Sequence, residues 1–85
     1  MVRDAARYLS AVIDEYRAEC ATGFPNDYDA RRKLWHCAVV VCKVADDPEP
    51  WLEQLRELSL GHIRPTQIET TIRSAERKAR LINVR

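Results

Sequence analysis

Apolar residues recur every three or four positions through most of the chain, which is typical of amphipathic helices. The first apolar stripe predicts a helix from about residue 3 to about residue 21, and Gly23 and Pro25 end it. This stripe consists of Ala5, Leu9, Val12, Ile13, Tyr16 and Cys20. Charged residues occupy the opposite side, so one face of this helix should pack inward.

A second helix should follow the loop at 22–26, with Asn26, Asp27 or Asp29 as its N-cap. Apolar residues crowd nearly all round this helix after Trp35, which predicts a central helix contacted on several sides. A buried strand over residues 37–41 is the alternative, but both flanks continue the helical period without a breaker. The predicted buried face comprises Tyr28, Leu34, Trp35, Ala38, Val39, Val41, Cys42 and Ala45.

Two further helices are separated by clear stop signals. Asp47 can cap a third helix with Pro48 at its first position, and Gly61 should end that helix in the left-handed conformation. Its apolar face is Trp51, Leu52, Leu55 and Leu58. Thr66 and Glu69 have the spacing of a capping box, which predicts the start of a fourth helix. The inner face of that helix is Ile68, Ile72, Ala75 and Ala79, and Leu81, Ile82 and Val84 could extend it.

These elements predict an all-α fold, a compact orthogonal bundle of about four helices. The chain has 85 residues, so residues 1–85 should form a single domain. No run approaches the roughly 20 apolar residues of a membrane span, so we expect no membrane partner. A body this small has little room for a deep substrate cleft.

Three cysteines, Cys20, Cys37 and Cys42, are an odd number for a disulfide scaffold. The first residues are polar and charged where a secretory signal needs an apolar run, so we expect a cytoplasmic protein with reduced thiols. On a helix, His36 and Cys37 diverge by about 100° and Cys37 and Cys42 by about 140°, which gives no chelating pair. We therefore predict no metal site and no cofactor, with the cysteines as small buried hydrophobes.

Catalytic motifs are missing from the chain. The two histidines, His36 and His62, show no pairing with a nucleophile and an orienting acid. The sequence has no GxGxxG and no GKS or GKT phosphate loop. We therefore predict no catalytic residues in this chain, although it could be a non-catalytic part of an enzyme.

Positive charge is concentrated toward the C-terminal half. Residues 51–85 hold seven Lys or Arg against four Asp or Glu, whereas residues 1–50 hold seven against nine. Arg31, Arg32 and Lys33 open the second helix, and Arg73, Arg77 and Arg80 share one face of the fourth. Such rows suit phosphate binding, although a solvated outer face gives the same pattern. Trp35 and Trp51 could stack on bases, but core packing is their commoner use.

Two segments resemble the primase C-terminal, or helix-bundle, domain of phage and plasmid primase–polymerases. One is the basic helix opening Ala30-Arg31-Arg32-Lys33-Leu34-Trp35-His36-Cys37-Ala38. The other is Pro65-Thr66-Gln67-Ile68-Glu69-Thr70-Thr71-Ile72-Arg73-Ser74-Ala75, which looks like the closing helix of that family. The family often opens its basic helix with a Gly-Arg-Asn-like entry, and here Asn26-Asp27-Tyr28-Asp29 stands instead.

The resemblance implies a non-catalytic accessory domain that binds single-stranded template DNA, and with it the initiating nucleoside triphosphate, during primer synthesis. The polymerising carboxylates would lie on a separate primase catalytic domain, and that domain or a helicase would be the protein partner. The residues assigned to nucleic acid are Arg31, Arg32, Lys33, Arg73, Arg77 and Arg80. The rival hypothesis is a helical adaptor that contacts another protein and has no nucleic-acid role.

Overall fold

Four α-helices make up most of the chain. The computed structural model describes residues 5–83, with side chains through residue 81. The helices are α1 (Ala5–Thr22), α2 (Asp27–Val44), α3 (Glu49–Ser59) and α4 (Pro65–Asn83). Residues 5–83 contain no strand, so the predicted all-α bundle of four helices is confirmed.

Helix α1 buries the face that its apolar stripe predicts. Leu9, Ile13, Tyr16 and Cys20 are buried. The helix ends where Gly23 adopts a φ of 95° and its N–H donates to the Glu19 carbonyl at 2.9 Å. Glycine reaches this left-handed region without steric cost, which explains why the helix stops there. The predicted first residues, 3 and 4, lie outside the described range.

Helix α2 is capped by Asn26, one of the three predicted candidates. Its side-chain oxygen accepts a hydrogen bond from the Asp29 N–H at 2.8 Å. Leu34, Ala38 and Val41 are buried as predicted, together with Ala30 and Cys37. The prediction that Tyr28 is buried is wrong, because its ring is 62% exposed. Tyr28 lies in the first turn of α2, about 120° from Leu34, and so points away from the core.

Helix α3 begins near the predicted signal but does not end as predicted. Pro48 already has helical dihedrals, and an Asp47 carboxylate oxygen accepts a long hydrogen bond of 3.4 Å from the Glu49 N–H. Gly61 does not adopt a positive φ, so the predicted left-handed cap is wrong. The helix instead tightens at its end, where the Ser59 carbonyl accepts hydrogen bonds from the N–H groups of His62 and Ile63.

Helix α4 starts without the predicted capping box. Pro65 is its first residue, so Thr66 is already inside the helix, and Glu69 accepts from Arg56 at 2.9 Å instead of bonding back to the helix start. The predicted inner face is confirmed, since Ile68, Ile72, Ala75 and Ala79 are all buried. Leu81 is 67% exposed and does not extend this face. The side chain of Ile82 and all of Val84 lie outside the described residues.

The two tryptophans lie at the edge of the core rather than inside it. Trp35 and Trp51 are half-buried and pack against the buried cluster. The centre of that cluster is made by Tyr16, Leu34, Val41, Leu55 and Ile72, none of them more than 1% exposed. Each tryptophan therefore has part of its ring accessible from outside the bundle.

The main interface of the bundle joins α2 and α4, and the residue pairs along it show that these helices run parallel. Arg31 lies beside Thr70 and Thr71, Trp35 donates to Ser74, and Cys42 lies beside Ala79 and Arg80. Residue numbers rise together along both helices, as only parallel helices allow. Both N-termini therefore lie at the same end of the groove between the helices.

Candidate functional site

An open groove runs between the outer edges of α2 and α4. Helix α2 contributes aromatic and basic side chains to one wall, whereas α4 contributes hydroxyl groups to the other. The lining residues are Tyr28, Arg31, Arg32, Trp35, His36, Thr70, Thr71 and Ser74. The groove thus combines flat rings, guanidinium groups and small polar donors in one place.

Trp35 lines this groove and contacts a residue on each side of it. Its indole N–H donates to the Ser74 hydroxyl oxygen at 3.3 Å, and the His36 ring meets it edge-on with centroids 5.3 Å apart. Because Ser74 accepts this bond, its own O–H remains available as a donor. The indole is therefore oriented from two sides while part of its surface lines the groove.

Arg31 and Arg32 supply the positive charge of the groove. The Arg31 Nε atom donates to Asp27 at 3.1 Å, which leaves its two terminal amino groups for another partner. Arg32 is exposed and forms no ion pair within the described part of the chain. A guanidinium with unused N–H groups can bind phosphate through two parallel hydrogen bonds.

Lys33, predicted to act with these arginines, lies on a different side of α2. Its ammonium group is 2.8 Å from Glu19 and 3.1 Å from Glu15 on α1. The hydrogen bond to Glu19 is the largest cause of the raised pKa of Lys33. Its charge is therefore already used to join α1 to α2, and the structure does not bring Lys33 into the groove.

The arginine row of α4 also lies outside the groove. The groove wall on α4 is Thr70, Thr71 and Ser74. Helical geometry rotates Arg77 by about 60°, Arg73 by about 100° and Arg80 by about 120° from Ser74. The structure therefore does not bring this row into the groove beside Arg31 and Arg32. Only Arg31 and Arg32 of the six predicted residues line it.

Sequence reasoning missed the hydroxyl wall of the groove. Thr70, Thr71 and Ser74 lie beside the apolar face of α4, and spacing alone marks them as ordinary surface residues. The informative signal is a polar strip that follows the edge of an apolar face. This polar strip indicates a binding groove only because Trp35 lies opposite it. The pairing of α2 with α4 is what brings the strip and Trp35 together.

Several other titratable side chains of the described chain are buried or packed against a neighbouring ring. Cys20 and Cys37 are buried free thiols, as predicted, whereas Cys42 is only half-buried. His62 packs edge-on against Phe24 at 5.7 Å. Among residues 5–83, no group of three or more His, Cys, Asp or Glu side chains could hold a metal ion. The groove is therefore the best candidate for a binding site in this part of the protein.

No known protein family, curated protein or solved structure matches this chain. The resemblance to primase helix-bundle domains therefore remains a prediction from two segments of the sequence. None of the helices between residues 5 and 83 is long and apolar enough to cross a membrane.

Proposed function

We propose that this chain is a non-catalytic domain that binds single-stranded DNA in the groove between α2 and α4. The observation that carries the proposal is the half-buried indole of Trp35, fixed by Ser74 and His36 and flanked by Arg31 and Arg32. Stacking of one base on an aromatic ring contributes about 1–3 kcal/mol and tolerates any sequence.

The phosphates next to the stacked base are the natural partners of the arginines. Arg31 keeps two amino groups beyond its bond to Asp27, and Arg32 extends into solvent. Ser74 and Thr71 add hydroxyl groups on the opposite wall, of the kind that position a nucleic-acid backbone. The Thr70 hydroxyl contributes less as a donor, because it already donates to the Thr66 carbonyl at 2.9 Å.

The biological setting that we propose is a phage or plasmid primase–polymerase. In that setting the domain holds the single-stranded template, and the initiating nucleoside triphosphate, beside a separate catalytic domain. The support for this setting is the resemblance of residues 30–38 and 65–75 to the family's helix-bundle domain. A primase needs such a hold most at initiation, because no primer duplex yet anchors the template.

Binding of oligo(dT) tests the proposal, with Trp35 as the reporter in a Trp51→Phe background. We expect quenching of Trp35 and a salt slope of roughly −1.4, the value for the two phosphates that Arg31 and Arg32 can neutralise. Changing Arg31 and Arg32 together to Ala should weaken binding about tenfold or more, since a charged hydrogen bond contributes about 1.5–3 kcal/mol.

The matched control changes Arg7 and Arg17 to Ala, which removes the same charge from exposed positions on α1. Equal weakening by both double variants would show only a general charge effect and would count against the groove. Absence of salt-dependent affinity would favour the helical adaptor. Within a primase, the Arg31 and Arg32 changes should lower primer initiation more than primer extension.

A further inference from the structure

Two arginines on the outer face of α4 have no role in the groove. Arg73 and Arg77 are exposed and form no ion pair within the described chain. The nearby acidic residues are placed elsewhere. Glu69 accepts from Arg56, and Glu76 lines a small cavity with Cys42, Pro48 and Arg80. Arg73 and Arg77 therefore present uncompensated positive charge to solvent.

These arginines begin one helical turn from the groove wall. Arg73 comes three residues after Thr70, and Arg77 comes three after Ser74. Residues with this spacing are neighbours on a helix surface, with their Cβ atoms about 5–6 Å apart. A strand in the groove thus needs to cross only the ridge of α4 at Thr70 and Ser74 to reach the arginines.

Resting on the proposed function, we infer that Arg73 and Arg77 form a second subsite for single-stranded DNA. The groove binds the first nucleotides, the strand crosses α4 over Thr70 and Ser74, and its next phosphates bind Arg73 and Arg77. Arg80 is outside this path, because it lies four residues after Glu76 and shares a cavity with it on the side of α4 facing the α2–α3 connection.

A two-part site makes affinity depend on the length of the oligonucleotide. A strand of about four nucleotides fills the groove, whereas one of about twelve also reaches the arginines, within the usual range of single-strand site sizes. Comparing a short with a long strand therefore distinguishes two sets of residues. Arg31 and Arg32 act on both lengths, whereas Arg73 and Arg77 act on the longer strand.

The test measures binding of short and long oligo(dT) to the Arg73→Ala, Arg77→Ala double variant by Trp35 fluorescence in the Trp51→Phe background. We expect about tenfold weaker binding of the long strand and less than twofold change for the short one. The salt slope for the long strand should become shallower by about 1.4, which corresponds to two lost phosphate contacts. Arg80→Ala and the Arg7, Arg17 double variant should leave both affinities near those of the parent protein.

Two results would overturn the inference. Equal loss for both lengths would mean that Arg73 and Arg77 act through the general field of the protein, and unchanged affinity for both would mean that they touch no DNA. In both cases the parent protein still binds, so the proposed function survives. Failure of the parent protein to bind either strand would remove the proposed function and this inference together.

Discussion

Burial controls the chemistry of the cysteine thiols. Cys37 is 4% exposed, and burial raises the pKa of its thiol to about 11 despite the opposing effect of Lys33. Burial also raises the pKa of Cys20 and of Cys42. Because the thiolate is the nucleophile, these groups should be unreactive near neutral pH and serve as small packing residues.

We expect alkaline pH to destabilise the fold partly through Cys37. The unfolded thiol ionises near pH 9 and the folded one near pH 11, so the unfolded chain loses its proton first as pH rises. The stability that Cys37 contributes is fully present below pH 9 and lost by pH 11. The free energy of unfolding should therefore fall by about 2–3 kcal/mol over this range. Urea denaturation at about pH 8 and pH 11 measures it.

Cys37→Ala provides the control, because it removes this titration and should flatten the pH dependence. Burial is the main cause of the raised pKa of Tyr16, and the hydrogen bond to Glu19 is the main cause of the raised pKa of Lys33. Both pKa values are shifted in the same direction in the parent protein and in the Cys37→Ala variant. Only the difference between the two proteins therefore reports on Cys37. An identical pH dependence would contradict the burial argument.

Individual residues were predictable where one face of a helix decides their place. Leu34, Val41, Leu55 and Ile72 are buried as their spacing predicts. Ser59 is fully buried although it is polar, and the spacing of apolar residues gives no signal for it. Its burial depends on a partner that lies 43 positions away in the sequence, the Tyr16 hydroxyl.

At the scale of elements, that hydrogen bond links α1 to α3. The Tyr16 and Ser59 hydroxyl oxygens are 2.6 Å apart in the core, and Ser59 donates to the Leu55 carbonyl at 2.8 Å. Since the Ser59 proton is used in that bond, Tyr16 must be the donor to Ser59. The Tyr16 hydroxyl therefore depends on Ser59 as its acceptor, whereas the Ser59 proton has the Leu55 carbonyl as its acceptor.

Removing either hydroxyl should destabilise the protein by different amounts. Ser59→Ala leaves the Tyr16 O–H buried without this partner, which should cost about 1–3 kcal/mol. Tyr16→Phe leaves Ser59 bonded to Leu55 and should cost only about 0.5–1.5 kcal/mol. Urea denaturation of both variants checks the order. A larger loss of stability for Tyr16→Phe than for Ser59→Ala would show that Ser59 donates to the Tyr16 oxygen and not to the Leu55 carbonyl.

Helix ends were less predictable than helix faces. Gly23 ends α1 in the left-handed conformation, whereas Gly61 has the same sequence signal and does not. The two ends differ because the Ser59 carbonyl accepts two N–H groups, those of His62 and Ile63, in a tight turn around Gly61. Similarly, Glu69 binds Arg56, which also contacts two glutamates of α3. Local cap signals are therefore overridden by hydrogen bonds within the turn at Gly61 and by a contact between α3 and α4 at Glu69.

For the whole molecule, the core is small enough that single truncations matter. A domain of 85 residues has an expected stability of about 4–13 kcal/mol. Leu34→Ala or Ile72→Ala should each cost about 2–5 kcal/mol, because both side chains are at most 1% exposed. Circular dichroism during thermal unfolding should show partial unfolding or a clearly lowered Tm.

Leu81→Ala is the control, since that side chain is 67% exposed and should change stability by less than about 0.5 kcal/mol. Unchanged Tm in the Leu34 and Ile72 variants would mean that these faces do not form the core.

The number of helices was predictable from the sequence, but their arrangement was not. Apolar spacing identifies which face of a helix is buried and says nothing about which helix covers it. The parallel pairing of α2 and α4 therefore appeared only in the structure. The same limit applies to the candidate site, where the sequence identified Trp35 and the basic residues but not that the arginine row of α4 lies outside the groove.

The parallel pairing of α2 and α4 also predicts the order in which contacts between the helices form during folding. Contacts within α1–α2 join residues 14 to 18 apart, such as Lys33 with Glu19 and Glu15, and Arg56 reaches Glu69 across 13 residues. Trp35 and Ser74 are 39 residues apart. Closing the longer loop costs more chain entropy, so we expect α1 to pair with α2 and α3 with α4 before α2 packs against α4. A nascent or partly folded chain can therefore be helical without yet having its groove.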